Sequence, residues 1–278
     1  MQNSVPASEP VSEQVTAPGP PRKSWLWTII TWIDVLFWLS IVVPPAFVLG
    51  LWARIIGDRR RYLASRVLAA AFRAIVRVHP RYRLTMSGLT SLPKGSALLC
   101  ANHQSLSDVV FLFSLPCTFR WIVKDEFFGV PGFGVAMTSA GYLRIRRGDP
   151  VSARLLLDGV QASFADGMLV LSFPEGTRSR DGDIGPFSLG AARMAIAAQV
   201  PLVPIGVAGT DWVLPRGSGF YSRDAHVVIH VGEPISTEGL TRRDARHVTA
   251  RLREAVIAAK QTAQAQSSLA PKNADIAR

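Results

Sequence analysis

From Tyr82 onward the chain alternates short apolar runs with amphipathic segments, and this alternation restricts the fold more than any other feature. Short runs rich in Val, Ile and Leu are typical of buried strands, whereas apolar residues three or four positions apart are typical of helices. We predict strands near 82–87, 96–101, 119–123, 141–146, 168–173, 202–208 and 226–231, and helices near 108–115, 130–139, 151–165, 189–198 and 241–260. Such alternation predicts an α/β fold with a mixed, mostly parallel sheet covered by helices.

The segment from Trp25 to Ile56 is almost entirely apolar and predicts membrane contact, because Trp residues crowd its first half. Pro44 and Pro45 lack amide donors, so we expect a first helix of about eighteen residues and a second of about eleven, too short to cross a hydrocarbon core of roughly 30 Å. Basic residues flank both outer ends and favour the cytoplasmic side for each. We therefore predict a two-helix hairpin anchored in one leaflet; a kinked transmembrane helix and a buried core hairpin are the alternatives.

This anchor divides the chain into four predicted parts. Residues 1–23 are rich in Pro, Ser, Glu and Ala and predict a disordered tail. Residues 24–57 form the hairpin, residues 58–261 form the α/β domain, and residues 262–278 form a second disordered tail. Tyr62–Val78 predicts an amphipathic helix whose Arg-rich face contacts lipid headgroups or solvent.

The charge balance indicates an anionic partner. Lys and Arg together number 31 against 20 Asp and Glu, a net charge of +11, which suits a phosphate substrate, an acidic lipid surface or a nucleic acid. The two cysteines, Cys100 and Cys117, fit neither a disulfide framework nor a metal-ligand pattern. They favour a reducing compartment and predict no metal site.

His103 and Asp108 are the first candidates for catalysis, and they lie five positions apart after an apolar run. On one helix, five steps would rotate Asp108 about 140° away from His103, so the chain must turn between them. We expect His103 at the carboxyl end of a strand and Asp108 in the first turn of the next helix. A carboxylate bonded to one ring nitrogen produces a general base at neutral pH; a capped helix after a surface His is the alternative.

Three further segments follow predicted strands. Gly141–Arg147 ends in a basic cluster that could bind phosphate or be a solvated strand end. Leu169–Arg178 runs from a buried strand into a Pro-Glu-Gly turn. Its backbone amides, a hydroxyl and Arg178 would suit an anion site. A turn followed by an incidental Arg is the alternative. The prolines of Val200–Pro204 predict an edge strand or a rigid apolar wall.

In this order and spacing the four segments resemble the phospholipid and glycerolipid acyltransferases, the family of 1-acylglycerol-3-phosphate acyltransferase. The family's blocks are NHxxxxD, a glycine strand ending in Arg, FPEGTR, and a proline-flanked apolar strand, here Asn102–Asp108, Gly141–Arg147, Phe173–Arg178 and Val200–Pro204. Lys124–Phe128 and Phe187–Ala192 are similar to two further family segments. The resemblance covers about residues 82–235.

The resemblance implies transfer of a fatty acyl group from acyl-CoA or acyl-carrier protein to the free hydroxyl of a lysophospholipid, chiefly 1-acyl-sn-glycerol-3-phosphate giving phosphatidate. It implies that His103 is the base, that Asp108 holds its ring, and that the acceptor's phosphate is bound by Arg147, Glu175, Gly176, Thr177 and Arg178. No metal or cofactor other than the acyl donor is implied, and no nucleic acid. The expected location is an anionic membrane surface, the cytoplasmic face of the inner membrane.

Two departures from the family leave alternatives open. The chain has Arg144-Ile145-Arg146-Arg147 where the family usually has Phe-(Ile/Val)-Asp-Arg, and Ser188 where Lys is common. Arg144 and Arg146 could redirect recognition to another lysolipid, including a lyso-aminolipid. A membrane-bound thioester hydrolase would use the same His-Asp pair with water, while a basic membrane or nucleic-acid binding protein would leave the His-Asp spacing unexplained.

Overall fold

The computed structural model describes residues 25–57, 61–79, 82–179, 181–214 and 225–269. Two helices precede the sheet, α1 (Trp25–Ile55) and α2 (Tyr62–Val78), so the predicted amphipathic helix is confirmed. The strands are β1 (Tyr82–Ser87), β2 (Leu98–Ala101), β3 (Phe119–Lys124), β4 (Leu143–Ile145), β5 (Leu169–Ser172), β6 (Leu202–Ala208) and β7 (Ala225–Val231). The remaining helices are α3 (Ser107–Leu112), α4 (Phe133–Ser139), α5 (Pro150–Ala165), α6 (Gly190–Ala198), α7 (Thr210–Val213) and α8 (Ala245–Leu269).

The seven strands form one sheet in the order β1-β7-β6-β2-β5-β3-β4. Each neighbouring pair is parallel except β6 and β7, which are antiparallel. The predicted mixed, mostly parallel sheet is therefore confirmed. Because β2, β5 and β6 are parallel neighbours, their carboxyl ends meet at one edge of the sheet, where open α/β sheets place their sites.

The alternation of side chains along β2 explains why every residue of this strand is buried. Leu99 and Ala101 pack into an apolar cluster with α2, α3 and α4, while Leu98 and Cys100 pack into a second cluster with α5, α6 and α8. Helices thus cover both faces of the sheet, which is the usual arrangement for a parallel sheet whose strands are apolar throughout.

The predicted break at Pro44 and Pro45 is wrong, because α1 continues through both prolines as one helix from Trp25 to Ile55. Proline's fixed φ is itself helical, so the cost is confined to the lost amide donors and local crowding. Tertiary packing opposes that cost: α1 lies against α2 and α4, and a Cβ built on Gly50 would lie only 2.3 Å from Ser139 Cβ. The two helices that pack together at the N-terminal side are α1 and α2, not the two halves of residues 24–57. The predicted tail of residues 1–23 lies outside the described residues.

A large part of the α1 surface is nonetheless apolar and uncovered. Its exposed large apolar side chains include Trp25, Leu26, Ile29, Ile33, Leu36, Phe37, Phe47, Val48, Leu51, Trp52 and Ile55. Among the described residues, no helix combines the length and the apolar content needed to cross a bilayer.

Two further features differ from prediction: the place of β6 in the sheet and the end of α8. β6 is central, not an edge strand, since it lies between β7 and β2. Pro204 is tolerated there because it lies just beyond the β6–β7 ladder, where its carbonyl accepts from Gly232 N at 2.9 Å and its missing amide costs little. α8 extends to Leu269, so the predicted disorder of residues 262–269 is wrong. The buried Ala263 continues the three- and four-residue spacing of Val256 and Ala259, and it packs with Ala208 and Val228 of the sheet. Residues 270–278 lie outside the described part of the chain.

Candidate active site

The candidate base His103 is held at the carboxyl end of β2 by its neighbour Asn102. The Asn102 side chain pairs with the β6 backbone in both directions: Val207 N donates to Oδ1 at 2.7 Å, and Nδ2 donates to the Val207 carbonyl at 3.0 Å. The chain then turns, and α3 begins at Ser107 with Asp108 in its first turn. This turn brings His103 Nδ1 within 2.7 Å of Asp108 Oδ2, which confirms the predicted contact.

Asp108 is completely buried, and four donors surround its carboxylate. Besides the His103 ring, Oδ2 accepts the backbone amides of Gln104 at 2.8 Å and Ser105 at 2.9 Å. Oδ1 accepts the hydroxyl of Thr210 at 2.5 Å. A carboxylate can accept about four hydrogen bonds, so this set fixes Asp108 in one orientation and directs one lone pair at the imidazole.

Thr210 is the residue that sequence reasoning missed. It begins α7, directly after β6, and its hydroxyl also accepts from Gln104 Nε2 at 3.0 Å. The same Gln104 amide lies 3.2 Å from Asp211 Oδ1, and burial raises the pKa of Asp211 above its ordinary value. The available signal was the run Gly209-Thr210-Asp211 after a buried strand that is parallel to β2 and therefore ends at the same edge.

The remaining face of His103 is formed by Phe173. The two rings stack with centroids 3.9 Å apart and 12° between their planes. About 15% of the His103 side chain is exposed. Within the described part of the chain Nε2 makes no hydrogen bond, so it is the nitrogen available to take a proton from a substrate.

Glu175 contacts the loop that follows β2 and carries His103. Its Oε1 accepts the His103 backbone amide at 2.9 Å, and its Oε2 accepts the Gly185 amide at 3.1 Å. Burial raises the pKa of Glu175, and the two amide bonds oppose that rise. Both carboxylate oxygens thus contact backbone amides, and Glu175 links the Pro-Glu-Gly turn to the loop that carries His103. Its predicted role at the phosphate stays a prediction.

The other predicted phosphate-binding residues lie around the Pro-Glu-Gly turn. Gly176 has φ 70°, and a Cβ there would be 3.4 Å from Arg147 Nη2, so the Arg147 side chain lies directly on this turn. Thr177 and Arg178 are exposed, and the next residue, Ser179, donates its amide to the His103 carbonyl at 2.7 Å. The structure therefore brings this turn, Arg147 and the His103 loop together.

The predicted cluster of three arginines separates. Arg146 Nη2 is paired with Asp125 Oδ2 at 2.6 Å, and Arg144 Nη1 lies 3.8 Å from the other oxygen of Asp125. A cavity of about 280 Å³ lies beside Arg147 and is lined by Lys124, Asp125, Glu126, Ile145, Arg146 and Arg147. Arg147 alone among the three is placed against the Pro-Glu-Gly turn.

The described residues place a His-Asp pair beside a basic turn, and the two nearby candidate nucleophiles, Cys100 and Ser105, are not activated by it. Burial raises the pKa of Cys100 to about 12, so this thiol stays protonated at neutral pH. The Ser105 hydroxyl donates to the Leu214 carbonyl at 2.7 Å and does not contact His103. The described residues contain no group of three His, Cys, Asp or Glu side chains that could hold a metal ion.

The chain is similar to known acyltransferases. The family model described as Acyltransferase matches residues 83–208. A 1-acyl-sn-glycerol-3-phosphate acyltransferase of Chlamydomonas reinhardtii is 32% identical over 234 residues, covering 82% of this chain and 69% of that protein. A chloroplastic 1-acyl-sn-glycerol-3-phosphate acyltransferase of Brassica napus is 37% identical over 161 residues, covering 56% and 47%.

One solved structure shows the same fold. The crystal structure of the 1-acyl-sn-glycerophosphate acyltransferase PlsC from Thermotoga maritima superposes with a TM-score of 0.69 at 20% identity, covering 89% of this chain and 97% of that one. The chain spans about half the length of the first curated relatives that it matches, 47% and 46%.

Proposed function

Because this chain belongs to the 1-acyl-sn-glycerol-3-phosphate acyltransferase family, we propose that it transfers a fatty acyl group from a thioester to the free hydroxyl of 1-acyl-sn-glycerol-3-phosphate, giving phosphatidate. One observation carries the proposal: His103 is bonded to a buried, four-fold hydrogen-bonded Asp108 and lies beside the turn that holds Arg147. The donor would be acyl-CoA or acyl-carrier protein, and no further cofactor enters the reaction.

His103 Nε2 would remove the proton from the acceptor hydroxyl as the oxygen attacks the thioester carbonyl. Asp108 keeps the ring in the tautomer with a proton on Nδ1 and stabilises the imidazolium that forms. The tetrahedral intermediate then collapses, the carbon–sulfur bond breaks, and the imidazolium returns its proton to the thiolate. A positioned base of this kind contributes about 10² to 10⁴ in rate.

Arg147, Thr177 and Arg178 would hold the acceptor's phosphate and so fix the hydroxyl relative to His103. Charge-assisted bonds from a guanidinium to phosphate are strong and directional. The pairing of Arg146 with Asp125 favours an ordinary phosphate acceptor, because it removes the extra positive charge that could have redirected recognition. Holding the two reactants in place supplies much of the reduction in barrier.

The acceptor lipid requires the site to open at a membrane surface. The uncovered apolar side chains of α1 suit insertion into one leaflet, and the net charge of +11 suits an anionic lipid surface. A thioester donor arrives from the aqueous side, so we place the protein on the cytoplasmic face of the inner membrane. The packing of α1 against α2 and α4 implies that this anchor is rigidly joined to the α/β domain.

The test uses the purified full chain in neutral detergent with lysophosphatidate and either acyl-CoA or acyl-carrier protein as donor. His103→Ala should lower the rate of phosphatidate formation at least about 100-fold. The matched control is His247→Ala, since His247 is exposed on α8, which covers the face of the sheet opposite to α3.

Wild-type turnover by His103→Ala, with native circular dichroism, would remove the general-base role. Free fatty acid as the main product, with or without lysophosphatidate, would instead identify a thioester hydrolase. Transfer to a different lysolipid but not to lysophosphatidate would retain the mechanism and replace the acceptor.

A further inference from the structure

The segment that follows the Pro-Glu-Gly turn has no regular secondary structure, and α8 holds its backbone. Residues 181–188 belong to neither a helix nor a strand, so their carbonyls need partners outside the sheet and the helical ladders. Arg253 Nε donates to the Gly185 carbonyl at 2.9 Å, and Arg253 Nη2 donates to the Ile184 carbonyl at 2.6 Å. The rigid fork of one guanidinium therefore fixes two successive carbonyls of this segment.

Lys260 holds the same segment about two helical turns further along α8. Seven positions separate it from Arg253, which places both side chains on one face of the helix. Lys260 is only 7% exposed, and its ammonium group donates to the Gly182 carbonyl. In the described part of the chain, neither cation forms an ion pair with a carboxylate. Both cations are therefore directed at backbone carbonyls, and the Ile184 side chain is buried in the apolar cluster that α8 lines.

Gly185 connects this attachment to the candidate base. Its carbonyl accepts from Arg253, and its own amide donates to Glu175 Oε2 at 3.1 Å. The other carboxylate oxygen, Oε1, accepts the backbone amide of His103 at 2.9 Å. Because only one side chain lies between the two amides, a displacement of Gly185 shifts the carboxylate that holds the His103 backbone.

Both ends of the same segment are attached to the site. The Ser179 amide donates to the His103 carbonyl at 2.7 Å, and the Ser188 amide donates to the Pro174 carbonyl at 3.0 Å. Between these ends, the segment is attached to α8 through Arg253 and Lys260. The position of the loop that carries His103 therefore depends on a helix that does not itself contact the His-Asp pair.

We propose that Arg253 is a positioning residue for the general base and acts on His103 through Gly185 and Glu175. The inference rests on the proposed function, because it extends the proposed catalytic role of His103 to α8. A misplacement of about 1 Å at a reacting group can cost about 100-fold in rate. Asn102 and Asp108 hold the same loop independently, so the loss expected without Arg253 is smaller.

The kinetic test compares Arg253→Gln with the wild type in the transfer of an acyl group to lysophosphatidate. The kcat should fall about tenfold, the loss expected for one hydrogen bond that involves a charged group. The donor KM should stay within about twofold, because Arg253 does not bind substrate. The matched control is Arg251→Gln, which changes an exposed arginine two positions earlier on α8 and should leave kcat unchanged. Arg253→Met keeps an unbranched stem without a donor and is the second variant if Arg253→Gln does not fold.

Hydrogen exchange of the full chain in neutral detergent measures the same connection without catalysis. Amides that exchange through local opening report the stability of their own hydrogen bonds. In Arg253→Gln, peptides that contain Gly185 or His103 should exchange up to about tenfold faster than in the wild type. The peptide that contains β6 should exchange at the wild-type rate, and Arg251→Gln should leave all three peptides unchanged.

A double-mutant cycle with Glu175→Gln tests the route of the effect. Residues that act through one hydrogen-bond network have non-additive effects. The effect of Arg253→Gln on kcat should therefore shrink to less than about twofold when residue 175 is already Gln. A full further loss in the double variant would show that Arg253 does not act through Glu175 and would overturn the inference.

Unchanged exchange at His103 in Arg253→Gln would also overturn the inference, whatever happens to kcat. Faster exchange throughout the chain, β6 included, would assign Arg253 to overall stability instead. A raised acceptor KM with unchanged kcat would assign it to acceptor binding. If the wild type shows no acyl transfer but Arg253→Gln still speeds exchange at His103, the proposed function fails and the connection from α8 stands.

Discussion

Replacing Thr210 by Val tests whether the buried hydroxyl next to Asp108 serves catalysis. The hydroxyl donates to Asp108 Oδ1 at 2.5 Å and is fully buried. Val keeps a similar shape but removes this donor, while the Gln104 amide keeps Asp211 Oδ1 at 3.2 Å. The change therefore removes one of four bonds to the carboxylate that orients His103.

The expected magnitude follows from the charge on the acceptor. A hydrogen bond to a charged group is worth about 1.5–3 kcal/mol. If all of that energy is lost in the transition state, kcat falls by about tenfold to about 150-fold, since about 1.4 kcal/mol corresponds to a factor of ten. We expect the acceptor and donor KM values to stay within about twofold, because Thr210 does not lie at the Pro-Glu-Gly turn.

The pH profile separates positioning from general damage. A carboxylate with one donor fewer attracts the His103 ring proton more strongly, so the acidic limb of kcat/KM should move to higher pH. Thr210→Ser, which retains the hydroxyl, should restore both kcat and the profile. The matched control is Thr249→Val on α8, which also loses a buried hydroxyl bond, to the Ala245 carbonyl at 2.7 Å, and should affect only stability.

A kcat for Thr210→Val within twofold of the wild type, with an unshifted pH profile, would refute the role of this hydroxyl. A proportional fall of the whole profile, not rescued by Ser, would show that the residue matters only for folding.

Three further predictions follow from other contacts. Glu175→Gln should lower kcat, because an amide can accept only one of the two backbone N–H groups that Glu175 now accepts. Burial raises the pKa of Glu175 above its ordinary value near 4.5. The contribution of Glu175 to the free energy of unfolding is therefore fully present below that value and is lost as pH rises through the raised pKa. Thermal unfolding should show that decline in the wild type and not in the Gln variant. Arg178→Ala should raise the acceptor KM more than the donor KM in steady-state assays, and an unchanged acceptor KM would argue against phosphate binding there. Iodoacetamide at pH 7 should leave activity intact, because burial raises the pKa of both Cys100 and Cys117 to about 12; rapid inactivation that Cys100→Ala abolishes would contradict this.

The contact between His103 and Asp108 could be predicted from sequence because its geometry is local. His103 and Asp108 are five residues apart, and the strand–turn–helix pattern around them determines how they meet. Thr210 and Glu175 reach the same site through contacts that span 102 and 72 residues. Nothing in the spacing of a single sequence specifies such contacts, and only the strand order brings them together.

The prolines behind the two wrong predictions, Pro44 with Pro45 in α1 and Pro204 in β6, show the same limit. Pro44 carries a real local preference against helix, but packing of α1 on α2 and α4 outweighs it. Pro204 carries a real preference against central strands, but it lies just outside the antiparallel ladder between β6 and β7, which includes Ile205–Ala208. Local propensity was read correctly in each case, and the tertiary environment decided the outcome.

The two hydrogen bonds of Glu175 have a consequence for any attempt to change the proposed lipid preference of this protein. They connect the loop that carries His103 to the Pro-Glu-Gly turn and to the segment at Gly185. Exchanging residues 173–185 for those of a relative would therefore alter the position of the His103 ring as well as the proposed phosphate site. A chimaera that retains its rate of acyl transfer should therefore take the loop that carries His103 and the Pro-Glu-Gly turn from the same parent.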